Sequence, residues 1–392
     1  ARFTGEARHL RRLAKVTALE NRLRALQVFG QSVWLDYIRR SLITSGELRR
    51  LIDEDGLQGV TSNPAIFEKA VTGSSDYKEM LEAREARALD PKTLYEKLAV
   101  RDIQDAAEAL RPVYERTSRR DGYVSLEVSP LLAHDTVGTL AEARRLWEAV
   151  ARDNLMIKIP ATAEGLPAIR ELIGAGINVN VTLLFGCDTY EKVAEAYIAG
   201  LEELVARGGD PKRVASVASF FVSRVDTAID ALIAARLEAT TNAREQSFLR
   251  GLTGKATIAN SKLAYQRHRE LFGGGRWRAL ASQGAQTQRL LWASTGTKNP
   301  NYRNVIYVEE LIGPDTVNTI PPATFDAFRD HGRPRASLTE DVESAYDTMD
   351  MLKALGISMQ EVAERLLAEG LQLFSDAFEQ LLEAVEKQSR SA

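Results

Sequence analysis

The chain has 392 residues, of which 44% are hydrophobic and 27% charged, and its formal net charge is -3. This is an ordinary globular composition with length enough for a large core, and the near-neutral charge argues against nucleic acid or anionic membranes as general partners. The single cysteine, Cys187, excludes an internal disulfide and fits a reducing compartment; no run of about 18 apolar residues marks a membrane span. The histidines, His9, His134, His268 and His331, have no second histidine or cysteine at ligand spacing, which argues against a zinc site.

Within residues 1–30, Arg2, Arg8, Arg11, Arg12, Lys15, Arg22 and Arg24 stand against Glu6 and Glu20. No apolar region follows them, so this is no secretory signal. It reads as a solvated basic helix face or the remainder of an organelle transit peptide, and residues 1–24 are set apart as a basic extension. Thr17 to Glu20 forms a capping box, followed by Leu19, Leu23 and Leu26 at helical spacing and closed by Gly30.

The sequence VWLDYI (33–38) predicts a strand, 45–56 a helix from Ser45 to Gly56, and GVTSNPAIF (59–67) a second strand. Helical patterns cover 76–89 and 95–117. Strand VSLEVSP (124–130) precedes a helix over 136–152, strand MIKIP (156–160) a helix over 166–176, and strand NVNVTLLF (178–185) a long amphipathic helix over 188–208. Strand VASVASFFVSR (214–224) leads into a mostly helical stretch, 225–287, longer than one crossover needs. QRLLWAS (288–294) and DTVNTIP (315–321) complete eight strands, and helices over 339–355 and 359–388 end the chain. Gly273-Gly274-Gly275 follows a helix and reads as a plain loop. Strands alternating with helices predict an α/β fold, and eight such units predict a closed (β/α)8 TIM barrel. Residues 25–392 form that one domain, with added N-terminal, inserted and C-terminal helices.

Side chains alternate along a strand. In NVNVTLLF, Asn178, Asn180 and Thr182 share one face and Val179, Val181 and Leu183 the other. Helices cover the outside of a barrel, so the polar face points inward, and inward polar groups near a strand's C-terminal end mark the active-site mouth. The same test selects Ser125 and Glu127, Lys158, Asp36 and Asn63. Each has a plainer reading. Asp36 reads also as a helix cap, Asn63 before Pro64 as a turn, Glu127 as a structural partner of Lys158, and Lys158 as a solvated strand end. Together they are costly inside an apolar barrel, which favours function.

A desolvated lysine presents a neutral amine more readily. That amine attacks a ketone to form a Schiff base, an electron sink that lets a neighbouring C–C bond break. The reaction needs one base for the departing hydroxyl proton and one shuttle for the carbinolamine water. Asp36 and Glu127 supply two carboxylates for these roles, and the chemistry calls for neither metal nor cofactor. Arg224 ends the sixth strand, and Ser294 and Lys298 lie in WASTGTKNP after the seventh; barrels often bind phosphate in the loops after strands seven and eight.

The stretches QSVWLDYIRR, GLQGVTSNPAIFEKA, VSLEVSP, LMIKIPATAEGLPAI, GINVNVTLLF, ASFFVSRVD and LLWASTGTKNPNYRNVIYVEELIGPDTVNTIPPAT resemble the transaldolase family, in its longer bacterial and plastid-type branch, over about residues 25–385. The resemblance implies a Schiff-base transferase of the pentose phosphate pathway. It would move a dihydroxyacetone unit from sedoheptulose 7-phosphate to glyceraldehyde 3-phosphate, giving erythrose 4-phosphate and fructose 6-phosphate. It assigns Lys158 to the Schiff base, Asp36 to acid/base work at C3–C4, and Glu127 and Thr182 to a water relay. Asn63, Asn180 and Ser219 would hold the hydroxyls of the three-carbon unit, and Arg224 and Ser294 the phosphate. Lys298 joins the phosphate group, although shorter family members carry an arginine nearer the serine. Glu127 and Phe221 favour transfer, since relatives that are simple fructose 6-phosphate aldolases tend to carry Gln and Tyr there. Two alternatives stay open: such an aldolase, releasing free dihydroxyacetone, and a silent barrel acting as a scaffold. The resemblance implies a cytoplasmic protein, or a plastid-stromal one if the basic N-terminus is a processed transit peptide; both monomer and homodimer fit.

Overall fold

A computed structural model describes residues 21–83 and 88–390 and shows eight parallel strands closed into a barrel in sequence order. They are β1 (Gln31–Asp36), β2 (Gly59–Thr61), β3 (Tyr123–Glu127), β4 (Leu155–Pro160), β5 (Val179–Leu184), β6 (Ser216–Phe221), β7 (Arg289–Ala293) and β8 (Thr316–Ile320), with β8 pairing back onto β1. The expected (β/α)8 barrel is the observed fold.

Strand parity sorts the apolar residues. Val33, Leu35, Leu126, Ile157, Val181, Phe220 and Trp292 join the large core under the helices. Their alternates Trp34, Tyr123, Met156, Val217, Leu291 and Val317 form a second core inside the barrel. Trp34 fits there because Gly59 stands beside it on β2: a Cβ at Gly59 would lie 2.4 Å from the indole. At the N-terminal end of the strands the barrel is plugged by a buried polar set. Arg289 pairs with Asp121 at 2.9 Å and donates to Ser32 at 2.7 Å, while Ser32, Gln58 and the Trp34 indole all donate to Asp121. Breaking one partner of such a pair leaves an uncompensated buried charge, so this end is built for closure and the other is left for chemistry.

Several boundaries differ from the sequence-based expectation. β2 stops at Thr61, and Pro64–Thr72 is a helix. The Asn63 side chain accepts from Ile66 N at 3.0 Å and Pro64 sits in the first turn, so Asn-Pro here starts a helix. β6 stops at Phe221, and Arg224 lies in the first turn of helix Ser223–Ala239, not on the strand. The 76–89 pattern gives only helix Lys78–Glu82 among its described residues. Helix Pro322–His331, opened by a proline and followed by Gly332, was not expected.

The capping box at Thr17, His9 and most of the basic N-terminus lie outside the described residues. The first described helix, Arg22–Val28, is capped by Asn21, whose side chain accepts from Leu23 N and Arg24 N. Its arginines are engaged with the barrel: Arg22 donates to Arg329 O and Arg24 to Glu54 O. Between β6 and β7 the chain forms helices Ser223–Ala239, Ala243–Leu252, Ala256–Leu271 and Gly275–Ala281. These pack on their own chain, with Thr257 Oγ1 donating to Val222 O, Asn260 Nδ2 to Phe185 O and Lys262 Nζ to Glu340 O. The C-terminal helix, Met359–Arg390, buries one stripe, Leu366, Gly370, Phe374, Phe378, Leu381 and Val385. Among the described residues no helix is long and apolar enough to cross a membrane.

Candidate active site

Parallel pairing sets the site's first row. Glu127 on β3 registers with Lys158 on β4, and Lys158 with Asn180 on β5. All three occupy inward positions: Glu127 ends β3, Lys158 lies in the C-terminal half of β4, and Asn180 is the second residue of β5. Asp36 ends β1 and registers with Thr61, the end of β2.

Lys158 is 5% exposed. Its Nζ donates to Ser62 O at 3.0 Å and lies 3.4 Å from Glu127 Oε2. Glu127 Oε2 is buried without an aligned hydrogen bond among the described residues. Burial pushes the Glu127 carboxyl up to about 7, against the opposing pull of Lys158. A carboxyl placed there both gives and takes protons at neutral pH. Burial likewise raises Asp36, while Lys158, a hydrogen bond from Thr61 and Lys298 act to lower it. Thr61 Oγ1 donates to Asp36 Oδ1 at 2.7 Å and meets Thr319 Oγ1 at 2.7 Å.

A polar chain lies beside the lysine. Ser219 Oγ donates to Asn180 Oδ1 at 2.7 Å, and Asn180 Nδ2 donates to Ser125 Oγ at 3.0 Å. Thr182 Oγ1 is buried and has no hydrogen-bond partner among the described residues. An unpaired buried hydroxyl costs about 1–3 kcal/mol, so it is a group prepared for something that arrives. The backbone is irregular at this point. Leu183 has φ of 60°, and the β5–β6 register shifts between Val181 and Leu184. A non-glycine residue in this region costs of order 1–3 kcal/mol and such residues cluster at functional sites.

Asp36, Thr61, Asn63, Lys158, Thr182, Ser219, Phe221, Arg224, Ala293, Ser294, Thr319 and Phe374 line one cavity of about 90 Å³. Arg224 stands over the Phe221 ring, 5.6 Å from its centroid, and has no carboxylate in ion-pair range among the described residues. Burial holds its guanidinium below the usual arginine range, opposed by Glu369. Ser294, with φ of 56°, places its Oγ 3.0 Å from Ser223 Oγ at the start of the Arg224 helix. A half-buried arginine without a counter-ion beside two hydroxyls is built for an anion. Lys298 is exposed and does not line the cavity; its charge reaches Asp36 from the rim. Asn178 shares parity with Asn180 but lies at the opposite end of the barrel, its side chain donating to Asp153 O and Leu155 O.

The family described as Transaldolase/Fructose-6-phosphate aldolase matches residues 33–385. The chain belongs to the transaldolase/fructose-6-phosphate aldolase family. Among its relatives, "Transaldolase" of Trichodesmium erythraeum is 47% identical over 369 residues, covering 94% of this chain and 97% of that protein. "Transaldolase 2" of Nostoc punctiforme is 47% identical over 369 residues, covering 93% and 97%. "Transaldolase" of Saccharopolyspora erythraea is 47% identical over 367 residues, again covering 93% and 97%.

In this member of the transaldolase/fructose-6-phosphate aldolase family, sequence reasoning missed several residues around the cavity. Thr61 holds Asp36 and is itself met by Thr319, and Ser62 supplies the carbonyl that accepts from Lys158. Thr61 was legible, since it ends a strand on the inward parity. Phe374 was not: it comes from the C-terminal helix, outside any strand pattern, and its ring centroid lies 5.8 Å from Lys158 Nζ.

Proposed function

We propose that the chain is a transaldolase that transfers a dihydroxyacetone unit between sugar phosphates through a Schiff base on Lys158. The observation that carries this reading is a buried lysine flanked by two separate carboxylates, Glu127 at 3.4 Å and Asp36 across the same cavity.

The donor ketose, sedoheptulose 7-phosphate or fructose 6-phosphate, enters with its phosphate toward Arg224 and Ser294 and its carbonyl toward Lys158. Glu127 takes a proton from the lysine, and neutral Nζ attacks C2. Glu127 then returns a proton to the carbinolamine hydroxyl, which leaves as water, with Thr182 Oγ1 holding the water that links carboxyl and hydroxyl. Asp36 accepts the C4 hydroxyl proton as the C3–C4 bond breaks, and the electron pair moves into the imine to give an enamine. Ser219 and Asn180, already bonded to each other, hold the hydroxyls of the three-carbon unit, with Asn63 on the facing wall. The first aldose phosphate leaves, a second enters, and the enamine carbon attacks its aldehyde while Asp36 returns the proton. Hydrolysis of the imine frees Lys158.

Borohydride reduction in the presence of fructose 6-phosphate tests the reading. The expected result is a reduced three-carbon adduct on Lys158, absent from Lys158→Ala. A folded protein that forms no adduct with fructose 6-phosphate or sedoheptulose 7-phosphate overturns it.

A further inference from the structure

We propose that Phe374, on the C-terminal helix, is the roof of the cavity and decides whether the three-carbon enamine is passed to an acceptor aldehyde or lost to water. This rests on the Schiff-base reading above.

The strands and their loops supply the floor and walls. Phe374 closes the set from the remote end of the sequence. It is 6% exposed, and its ring faces Lys158 Nζ. The helix is held close over the mouth by a glycine one turn earlier. A Cβ on Gly370 would lie 3.0 Å from Leu183 Cδ2 and 3.6 Å from Arg224 Nη1. The helix therefore crosses between the irregular end of β5 and the phosphate-side arginine. One turn later Phe378 packs edge-on against Tyr95, centroids 5.8 Å apart, and fixes the helix rotation. Gly370 below and Phe378 above together leave the Phe374 ring aimed at the lysine.

Two consequences follow from what an aromatic face does. It favours a cation over its ring, and so favours the protonated imine that must form on Lys158. It also excludes water from the carbon that becomes nucleophilic in the enamine. Water that reaches this carbon delivers a proton to it. The imine of dihydroxyacetone results, its hydrolysis releases the free ketone, and the acceptor receives nothing. The roof therefore sets the ratio of transfer to release. Phe221 and Phe185, 5.1 Å apart by centroid, form an apolar wall that serves the same end from within the barrel.

The test compares wild type, Phe374→Ala and Phe374→Leu. With fructose 6-phosphate as donor, erythrose 4-phosphate-dependent formation of sedoheptulose 7-phosphate and release of free dihydroxyacetone are measured in the same samples. Borohydride labelling of Lys158 is measured alongside. In Phe374→Ala the transfer-to-release ratio is expected to fall at least about tenfold, with Lys158 still labelled. Phe374→Leu, which keeps a dry roof without the ring, is expected to recover most of the ratio. A folded Phe374→Ala in which transfer and release fall together, at an unchanged ratio, overturns the proposal and leaves Phe374 a packing residue. If Phe374→Ala does not fold, Phe374→Tyr, which keeps the ring and its packing but brings a hydroxyl to the roof, must lower the ratio relative to wild type, and an equal ratio overturns the proposal. Absence of labelling in wild type is a separate outcome, which removes the Schiff-base reading itself.

Discussion

In the proposed mechanism Glu127 carries the pH response of the site. Its carboxyl is pushed up to about 7 by burial, against the opposing pull of Lys158. Below that pH Glu127 holds a proton and cannot take one from the lysine. The plot of kcat/KM against pH is therefore expected to fall on the acid side of about 7. Glu127→Gln cannot titrate, so it should lose that limb and lower the plateau about 10²- to 10⁴-fold, as removal of a general acid–base does. An unchanged limb would place the titration elsewhere. Thr182 makes the complementary case. Its hydroxyl is buried and unpartnered among the described residues, so Thr182→Val removes that polar group at nearly constant shape. Thermal stability should hold or rise, by up to about 1–3 kcal/mol, while adduct formation slows. A variant that is both less stable and as fast would show the hydroxyl to be structural.

The same two residues show why sequence pattern reached the chemistry at the level of strands. Strand alternation singles out Thr182 and Glu127 because a barrel interior tolerates few polar groups, so a polar residue at every second position is a strong signal. Alternation is silent where a strand ends. Asn63 and Arg224 were read as strand residues, yet each sits at the start of a helix, because a capping Asn and a first-turn Arg are indistinguishable by parity from a strand's last inward position. It is silent too on elements brought in from afar. The segment after β7, which carries Ser294, is tied to helix Ser223–Ala239 by Tyr302 donating to Asp230 at 2.6 Å and Tyr307 donating to Asp226 at 2.9 Å. Asp226 is buried, also accepts from Thr257 N at 2.8 Å, and is pushed up to about 6 by that burial. These bonds hold the two halves of the proposed phosphate site, Arg224 and Ser294, at a fixed distance. Tyr302→Phe with Tyr307→Phe should therefore raise KM for phosphorylated donors about three- to tenfold with kcat nearly unchanged, the signature of lost uniform binding. A loss confined to kcat would show that these tyrosines act on the chemistry.

At the scale of the whole molecule, acid stability turns on one histidine far from the site. His268 lies between the rings of Tyr265 and Phe272, buried, with neither ring nitrogen hydrogen-bonded among the described residues. The nearest carboxylate, Asp315 at 3.6 Å from Nε2, is already engaged by Arg120 and Thr287. Burial pushes His268 down to about 4, with Asp315 opposing. An unfolded chain takes up this proton near pH 6.5, and the folded chain refuses it until about pH 4. The unfolded state therefore binds more protons in that window, so the histidine's contribution is complete above about 6.5 and declines as pH falls, by roughly 3 kcal/mol in all. Glu127 and Asp226 act in the opposite sense. Both hold a proton more tightly folded than unfolded, so their contributions grow as pH falls through about 7 and about 6. The wild-type profile sums these slopes with those of Asp36 and Asp102, which burial also raises, so the histidine's share is read by difference. His268→Phe keeps the ring stack and removes only the descending term. Measured by urea unfolding at matched pH, its stability relative to wild type should climb steadily from pH 7 to pH 4, whatever its offset at neutrality. A constant difference across that range would mean that His268 takes its proton in the folded protein as readily as in the unfolded chain.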